Sequence, residues 1–140
     1  MNDLDYAGDM NPEEAWNLLK KEDSYLIDCR TSAEWNLVGV PDLNSLDKNF
    51  YFIEWQTFPL MEKNSNFLKE INDHGLSKES KLIFICRSGA RSRSAAEFLT
   101  NHGYKNCYNF CEGFEGSHDD KGQRASVNGW KYSKLPWKQG

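Results

Sequence analysis

The chain has 140 residues, of which 39% are hydrophobic and 14% aromatic, and this is enough apolar material for the core of one domain. Its formal net charge of −4 argues against the general attraction to nucleic acid that a basic surface provides. The four cysteines contain no Cys-x2-Cys pair, so they fit neither a dense disulfide scaffold nor a spaced zinc site. We therefore expect a single domain over residues 1–140 that binds neither nucleic acid nor metal.

The apolar runs of the chain are short, and its N-terminal segment is acidic. The longest strong run covers residues 82–86, far below the roughly 20 residues that a membrane-spanning helix needs. Residues 1–5 lack the apolar region of a secretory signal. These features predict a cytoplasmic protein that does not contact membranes.

The first half of the chain shows one helix, one strand and a long aromatic segment. Asn11 before Pro12 predicts a helix start, with Asn11 as N-cap and Pro12 at the first helical position. The apolar run at 25–29 predicts a short strand. Residues 42–58 are irregular, and we expect a small separate core under a long loop, the alternative being an apolar wall beside the functional site. The aromatic residues of this segment are Phe50, Tyr51, Phe52, Trp55 and Phe58.

The second half alternates helices and strands more clearly. Apolar residues at helical spacing predict a helix over 64–71 and another over 95–102, with Gly103 just past its end. Strands are predicted at 82–85, a continuous apolar run typical of a central parallel strand, and at 105–110. Such alternation predicts an α/β fold with a parallel sheet covered on both faces, whose sites lie beyond the carboxyl ends of the strands.

One cysteine lies at such a strand end and begins a short loop that leads into a helix. Only a thiolate is a good nucleophile, and inward-pointing loop amides, a helix N-terminus and nearby arginines would each stabilise it. Inert buried thiols are typically surrounded by apolar residues instead. We therefore expect a reactive thiol in the segment that reads Cys86-Arg87-Ser88-Gly89-Ala90-Arg91-Ser92.

The other cysteines and the histidines show no catalytic motif. Cys29 falls on a predicted central strand and is expected to pack in the core. Cys107 and Cys111 share a face if the last strand is regular; either could resolve an oxidised Cys86, but burial is the simpler interpretation. A Cys-His pair is unsupported, so activation by the loop itself is the economical hypothesis. The three histidines are His74, His102 and His118.

Short segments along nearly the whole chain match one known family in order. They are the loop 86–91, the strand and Asp-x-Arg signature at 26–30 with Glu34-Trp35, the Gly-Val-Pro at 39–41, the Glu-Gly-Phe at 112–114 and the closing segment 129–137. Together they resemble the rhodanese (thiosulfate sulfurtransferase) superfamily in its single-domain bacterial form. Phe114 stands where that family has a second glycine, and the chain between Phe114 and Gly129 is longer than in a minimal domain.

The resemblance implies a fold and a reaction. The fold is a rhodanese-like three-layer α/β/α domain with a central, mostly parallel five-stranded sheet. In the reaction, the Cys86 thiolate attacks the outer sulfur of a small anionic donor such as thiosulfate, sulfite leaves, and a Cys86 persulfide forms. The acceptor of this sulfur is a thiol, cyanide in an assay, or another protein. No metal or organic cofactor is required.

The resemblance also implies roles for individual residues. Cys86 is the catalytic nucleophile, and Asp28 and Arg30 orient the loop without touching the reacting sulfur. Loop amides hold the terminal persulfide sulfur, while Arg87 and Arg91 bind the anionic donor. The residues expected to contact substrate are Arg87, Ser88, Gly89, Ala90, Arg91 and Ser92.

Two alternatives remain at this stage. Small phosphatases and arsenate reductases of the related cell-cycle type have one more residue in the loop, in the pattern Cys-x5-Arg. Here Arg91 is five residues after Cys86 and Ser92 is six after, and the smaller cradle suits one sulfur atom better than a phosphate. The other alternative is a sulfur-carrier or protein-binding module with little turnover of its own.

Overall fold

A five-stranded parallel sheet forms the centre of the protein, in a computed structural model that describes residues 5–48, 50–57 and 60–139. The strand order is first, eighth, seventh, second and fourth. In chain order the elements are β1 Gly8–Met10, α1 Pro12–Leu19, β2 Ser24–Asp28, α2 Ser32–Val38, β3 Val40–Pro41, a 3-10 turn Asn44–Leu46, β4 Tyr51–Phe52, β5 Gln56–Thr57, β6 Glu62–Lys63, α3 Phe67–Asp73, β7 Lys81–Ile85, α4 Ala90–Asn101, β8 Asn106–Phe110 and β9 Trp137–Lys138.

The sheet is covered on both faces, because alternate residues of its strands point to opposite sides. Leu82 and Phe84 of β7 pack with buried residues of α3 and α4. Ile83 and Ile85 of the same strand pack with α1 and with Trp130. The expected three-layer α/β/α domain with five strands is confirmed, and the pairings of the central sheet are all parallel rather than mostly parallel.

The helix ends follow from local chemistry. Asn11 accepts a hydrogen bond from the Glu14 N–H at 2.8 Å, and the Glu14 carboxylate accepts one from the Asn11 N–H at 3.1 Å, which confirms the predicted start of α1. The same reciprocal cap joins Thr31 and Glu34 at the start of α2. Helix α2 was not predicted from the sequence. At the end of α4, Gly103 follows the helix with φ +91°, as predicted.

Of the described aromatic residues in this segment, Phe50, Tyr51 and Trp55 pack in the main core while Phe52 is 38% exposed, so both interpretations of the segment were wrong. Tyr51 and Phe52 form β4, a fifth strand beside β2. Trp55 is buried on the side of the sheet that α3 and α4 cover. Phe50 packs on the opposite side of the sheet. None of the described aromatics of this segment lines the cavity in front of Cys86, and Phe58 lies outside the described residues.

The C-terminal segment is tied to the domain by its two tryptophans. Trp130 is fully buried, and its indole N–H donates to the Pro136 carbonyl at 2.8 Å. Trp137 lies in β9, which pairs with β3 opposite Pro41. Gly39, just before β3, allows this approach, since a Cβ there would lie 2.9 Å from the Trp137 ring. No helix in the described ranges is long and apolar enough to cross a membrane.

Candidate active site

Cys86 follows β7, the middle strand of the sheet, and its sulfur is held at the N-terminus of α4. The Gly89 N–H donates to Cys86 Sγ at 3.1 Å, and Gly89 has the left-handed φ of +108° that turns this amide inward. The hydroxyl of Ser92, in the first turn of α4, lies 3.2 Å from the same sulfur. The residue is only 1% exposed. The predicted cradle of a loop amide and a helix N-terminus is thus present around this sulfur.

Backbone hydrogen bonds from the segment after β8 hold the loop in place. The Phe114 N–H donates to the Cys86 carbonyl at 2.7 Å. The N–H groups of Glu115 and Gly116 both donate to the Arg87 carbonyl, each at 3.1 Å. The motif at 112–114 therefore acts on the loop through its backbone.

Two glycines make this contact possible. Gly113 has φ +76°, and a Cβ on it would overlap the Arg87 carbonyl and the Ser88 nitrogen. A Cβ on Gly89 would overlap the Cys111 carbonyl. Because loop and motif meet backbone against backbone, neither position has room for a side chain.

A chain of polar groups runs behind the sulfur, away from the cavity. The Ser92 hydroxyl is 2.5 Å from Asn109 Oδ1, and the Asn109 amide donates to Asp9 at 3.2 Å. Asp9 also accepts from the Tyr6 hydroxyl at 2.7 Å, and burial followed by this hydrogen bond raises the pKa of Tyr6 to about 12. By accepting from the Asn109 amide, Asp9 orients that side chain and thereby the hydroxyl beside Cys86.

The loop arginine Arg91 is bound to a carboxylate of α2. Its two terminal nitrogens donate to the two Glu34 oxygens at 2.7 and 2.9 Å, a bidentate pair. Burial by itself would raise the pKa of Glu34, but the hydrogen bonds and charge of Arg91 outweigh it, and the pKa is lowered. The pair therefore fastens α2 to the loop, and the positive charge of Arg91 is compensated.

Asp28 and Arg30 form a second ion pair, fully buried behind the loop. Arg30 Nη2 donates to the Asp28 carboxylate and to the Gly39 carbonyl, both at 2.7 Å. The guanidinium lies 4.2 Å from the centre of the Phe114 ring, and it is Phe114 whose N–H holds the Cys86 carbonyl. The two residues thus reach the loop through Phe114 and do not line the cavity.

A cavity of about 640 Å³ opens in front of Cys86. Arg87 on its wall is exposed and forms no ion pair with any residue that the structure describes. No histidine lines the cavity, and the described residues contain no cluster of potential metal ligands. The lining residues are Thr31, Ala33, Glu34, Leu37, Val38, Gln56, Met61, Cys86, Arg87, Ser88, Ala90 and Arg91.

The predicted site residues therefore fall into three groups. Cys86, Arg87, Ser88, Ala90 and Arg91 line the cavity. Gly89 supplies an amide to the sulfur, and Ser92 is buried beneath it. Asp28 and Arg30 lie behind the loop.

Sequence reasoning assigned no role to three further residues at this site, Glu34, Asn109 and Asp9. Glu34 had a local signal, since Thr-x-x-Glu is a capping box and predicts a helix start at the strand end. Asn109 and Asp9 come from β8 and β1, and only strand pairing brings them to the loop. No pattern of residue spacing in the sequence indicates that these two residues lie at the site.

The remaining three thiols are free. Cys29 is buried and donates to the Ile85 carbonyl at 3.3 Å, and burial raises its pKa well above the usual range. Burial raises the pKa of Cys107 to about 12. The expected burial of these two is confirmed, whereas for Cys111 it was wrong, because that residue is exposed beside Met10 at the end of the last central strand.

Comparisons with known proteins agree with this architecture. The Rickettsia rickettsii protein named uncharacterized protein RP600 homolog is 44% identical over 122 residues, which are 86% of this chain and 87% of that protein. The crystal structure of Rv0390 from M. tuberculosis superposes with a TM-score of 0.86 at 43% identity, covering 96% of this chain and 99% of the other.

A more distant similarity carries a functional name. The thiosulfate sulfurtransferase GlpE of Actinobacillus succinogenes is 28% identical over 108 residues, which are 77% of this chain and 81% of that protein. The family model described as STR4 middle domain matches residues 8–140, from the first strand to the end of the chain. That match covers the cysteine loop, helix α2 and the segment after β8, the last two of which hold the loop in place. The chain therefore belongs to the STR4 middle domain family, within the rhodanese-like superfamily.

Proposed function

We propose that this protein is a sulfurtransferase in which Cys86 carries the transferred sulfur as a persulfide. The observation that carries the proposal is the inward Gly89 amide, 3.1 Å from Cys86 Sγ, in a six-residue loop at a helix N-terminus. The similarity to a thiosulfate sulfurtransferase supports the same reaction class.

In the first half-reaction, the Cys86 thiolate attacks the outer sulfur of thiosulfate or a related donor. A bond forms between Sγ and that sulfur, the donor's own sulfur–sulfur bond breaks, and sulfite leaves with the electron pair. The total charge is unchanged, and no oxidant or reductant is consumed. The loop amides and the N-terminus of α4 stabilise the negative charge on the sulfur, while Arg87 binds the donor.

In the second half-reaction, an acceptor thiol, or cyanide in an assay, attacks the outer sulfur of the persulfide. The Cys86 thiolate is then the leaving group and is regenerated. Two half-reactions through a covalent intermediate predict ping-pong kinetics. The cavity has room for an acceptor at the same place from which the donor has left.

The geometry disfavours the phosphatase alternative. An arginine at the end of the loop would bind phosphate oxygens most strongly through both of its terminal nitrogens. Here both terminal nitrogens of Arg91 are bound to Glu34, and the loop is one residue shorter.

The direct test is the intact mass of the protein after incubation with thiosulfate. We expect the wild-type protein to gain the mass of one sulfur atom and to lose it again when cyanide is added. The Cys86→Ser variant should gain no such mass. A wild-type protein that gains no sulfur would contradict the thiosulfate hypothesis. Aryl phosphate hydrolysis that depends on Cys86 would favour the phosphatase, and a persulfide that turns over only with a protein acceptor would favour the carrier.

A further inference from the structure

We infer that the preferred sulfur donor is an organic compound with one negative charge and an apolar substituent on the group bonded to its sulfane sulfur, rather than the inorganic dianion thiosulfate. This inference rests on the proposed sulfur transfer and concerns the donor of that same site. Three properties of the cavity carry it, namely its charge, its size and its apolar wall.

The charged side chains of the cavity offer only one uncompensated positive charge. Of the lining residues, Arg87, Arg91 and Glu34 are charged, and Glu34 neutralises Arg91 through the bidentate pair at 2.7 and 2.9 Å. Arg87 is left as the cation for the donor. A donor with two negative charges would leave one of them without a side-chain partner, whereas a monoanion is matched.

The cavity is several times larger than an inorganic donor requires. Its volume of about 640 Å³ lies within the range of roughly 300–1,000 Å³ of pockets for organic ligands. Thiosulfate has five heavy atoms, and at about 30 Å³ for each, the share of one water molecule in the liquid, it would occupy roughly 150 Å³. The remaining volume is sufficient for a ring or a branched chain.

One wall of this volume is apolar. Ala33, Leu37 and Val38 of α2 line it, and Met61 lines it from the turn between β5 and β6. Leu37 is 78% exposed and Met61 36%, so both present apolar surface that a substituent could remove from water. Of the exposed large apolar side chains that the structure describes, Leu37 is the most exposed.

Thiosulfonates combine these properties in simple probes. In an aryl or alkyl thiosulfonate the outer sulfur is bonded to a sulfonyl group that carries an apolar substituent, and the whole ion has one negative charge. Attack by the Cys86 thiolate forms the same persulfide and breaks the same sulfur–sulfur bond, and a sulfinate leaves with the electron pair. Charge and atoms balance without another reactant.

The test compares benzenethiosulfonate, methanethiosulfonate and thiosulfate as donors to the intact protein, with cyanide as acceptor. Each kcat/KM is divided by the rate constant of the uncatalysed transfer to cyanide, which removes intrinsic reactivity. We expect benzenethiosulfonate to exceed methanethiosulfonate by about tenfold or more, since after this normalisation the main difference between the two is their apolar area. We expect methanethiosulfonate to exceed thiosulfate as well.

Two variants, together with one control variant, test the apolar wall and the charge separately. Leu37→Gln removes apolar surface from the wall. It should lower the ratio of the normalised kcat/KM for benzenethiosulfonate to that for methanethiosulfonate, here called the benzene-to-methane ratio, several-fold. Val127→Gln, at another exposed apolar residue that does not line the cavity, is the matched control and should leave the ratio unchanged. Glu34→Gln frees the charge of Arg91 and should raise the relative kcat/KM for thiosulfate.

A benzene-to-methane ratio near one, a ratio insensitive to Leu37→Gln, or thiosulfate as the best donor would overturn the inference while leaving sulfur transfer intact. If none of the three donors loads sulfur onto Cys86, the proposed function fails, and this inference fails with it.

Discussion

Arg91 and Glu34 are 57 residues apart in the chain, yet the two terminal guanidinium nitrogens of Arg91 lie 2.7 and 2.9 Å from the two carboxylate oxygens of Glu34. The side chains are only 15% and 20% exposed, so solvent screens the pair weakly. One contact therefore sets both the position of α2 against the loop and the net charge of the cavity.

This pair predicts a specific dependence of stability on pH. The pKa of Glu34 is lowered from its ordinary value of 4.5, so the folded protein binds this proton less readily than the unfolded chain. The stabilisation is therefore complete above 4.5 and is lost as the pH falls through the lowered pKa. Glu34→Gln should cost about 1–2 kcal/mol at neutral pH, and much less in acid. Urea unfolding of both proteins across this pH range measures the difference.

The matched control is Glu97→Gln, which removes the exposed ion pair of Glu97 with Arg93 on α4 and should change stability little. If wild type and Glu34→Gln lose stability in parallel on acidification, the pair does not cause the acid sensitivity.

Gly113→Ala should damage the site far more than an equivalent change elsewhere. Gly113 and Gly122 have nearly the same left-handed φ, +76° and +75°, so alanine strains the backbone by about 1–2 kcal/mol at both positions. Only at Gly113 does the new Cβ also overlap the loop, whereas at Gly122 nothing lies within 4 Å. We expect Gly113→Ala to be less stable than Gly122→Ala and to form less Cys86 persulfide, as measured by the intact mass of the protein. Equal persulfide yields in the two variants would show that the close backbone contact is unimportant for the loop.

Arg30→Met should destabilise the protein by about 3–5 kcal/mol, because it leaves the Asp28 carboxylate in the core without its cation. Methionine retains much of the apolar volume beside Phe114, so packing loss is limited. Asp73→Asn, which breaks the exposed Lys69–Asp73 pair, is the control and should have little effect. Denaturant unfolding of the three proteins tests this, and comparable losses in both variants would argue against a special role of burial.

The cysteines should differ in their reactivity in the folded state. Because the pKa of Cys107 is raised to about 12, only about one of its thiols in 10⁵ is ionised at neutral pH. Cys29 is fully buried. Cys111 is exposed. Alkylation with iodoacetamide and peptide mass mapping should therefore label Cys111 early, and Cys29 and Cys107 only after unfolding in denaturant. Native labelling of Cys107 as fast as Cys111 would show that this part of the core opens readily.

Several elements could be predicted because their signals are local. Asn11 and Pro12 mark a helix start within two residues, and the apolar run before Cys86 marks a central strand. The edge strands β1 and β4 were not predicted, since strands of three and two residues show no periodicity. The start of α2 could have been found from its capping box, because the reciprocal cap joins Thr31 and Glu34 within one turn of the chain.

Sequence alone determined the superfamily, through the resemblance of motifs along the chain. It also determined the position of Cys86 at a strand end, because a strand, a turn and a helix start depend on neighbouring residues. The tertiary structure decided which charges and hydroxyls act around Cys86. Arg91 pairs with Glu34 and Ser92 with Asn109 only because strands of the sheet and α2 are placed in register by the core. That placement depends on packing across the whole domain, and so the charge and the apolar wall of the cavity emerge only from the folded chain.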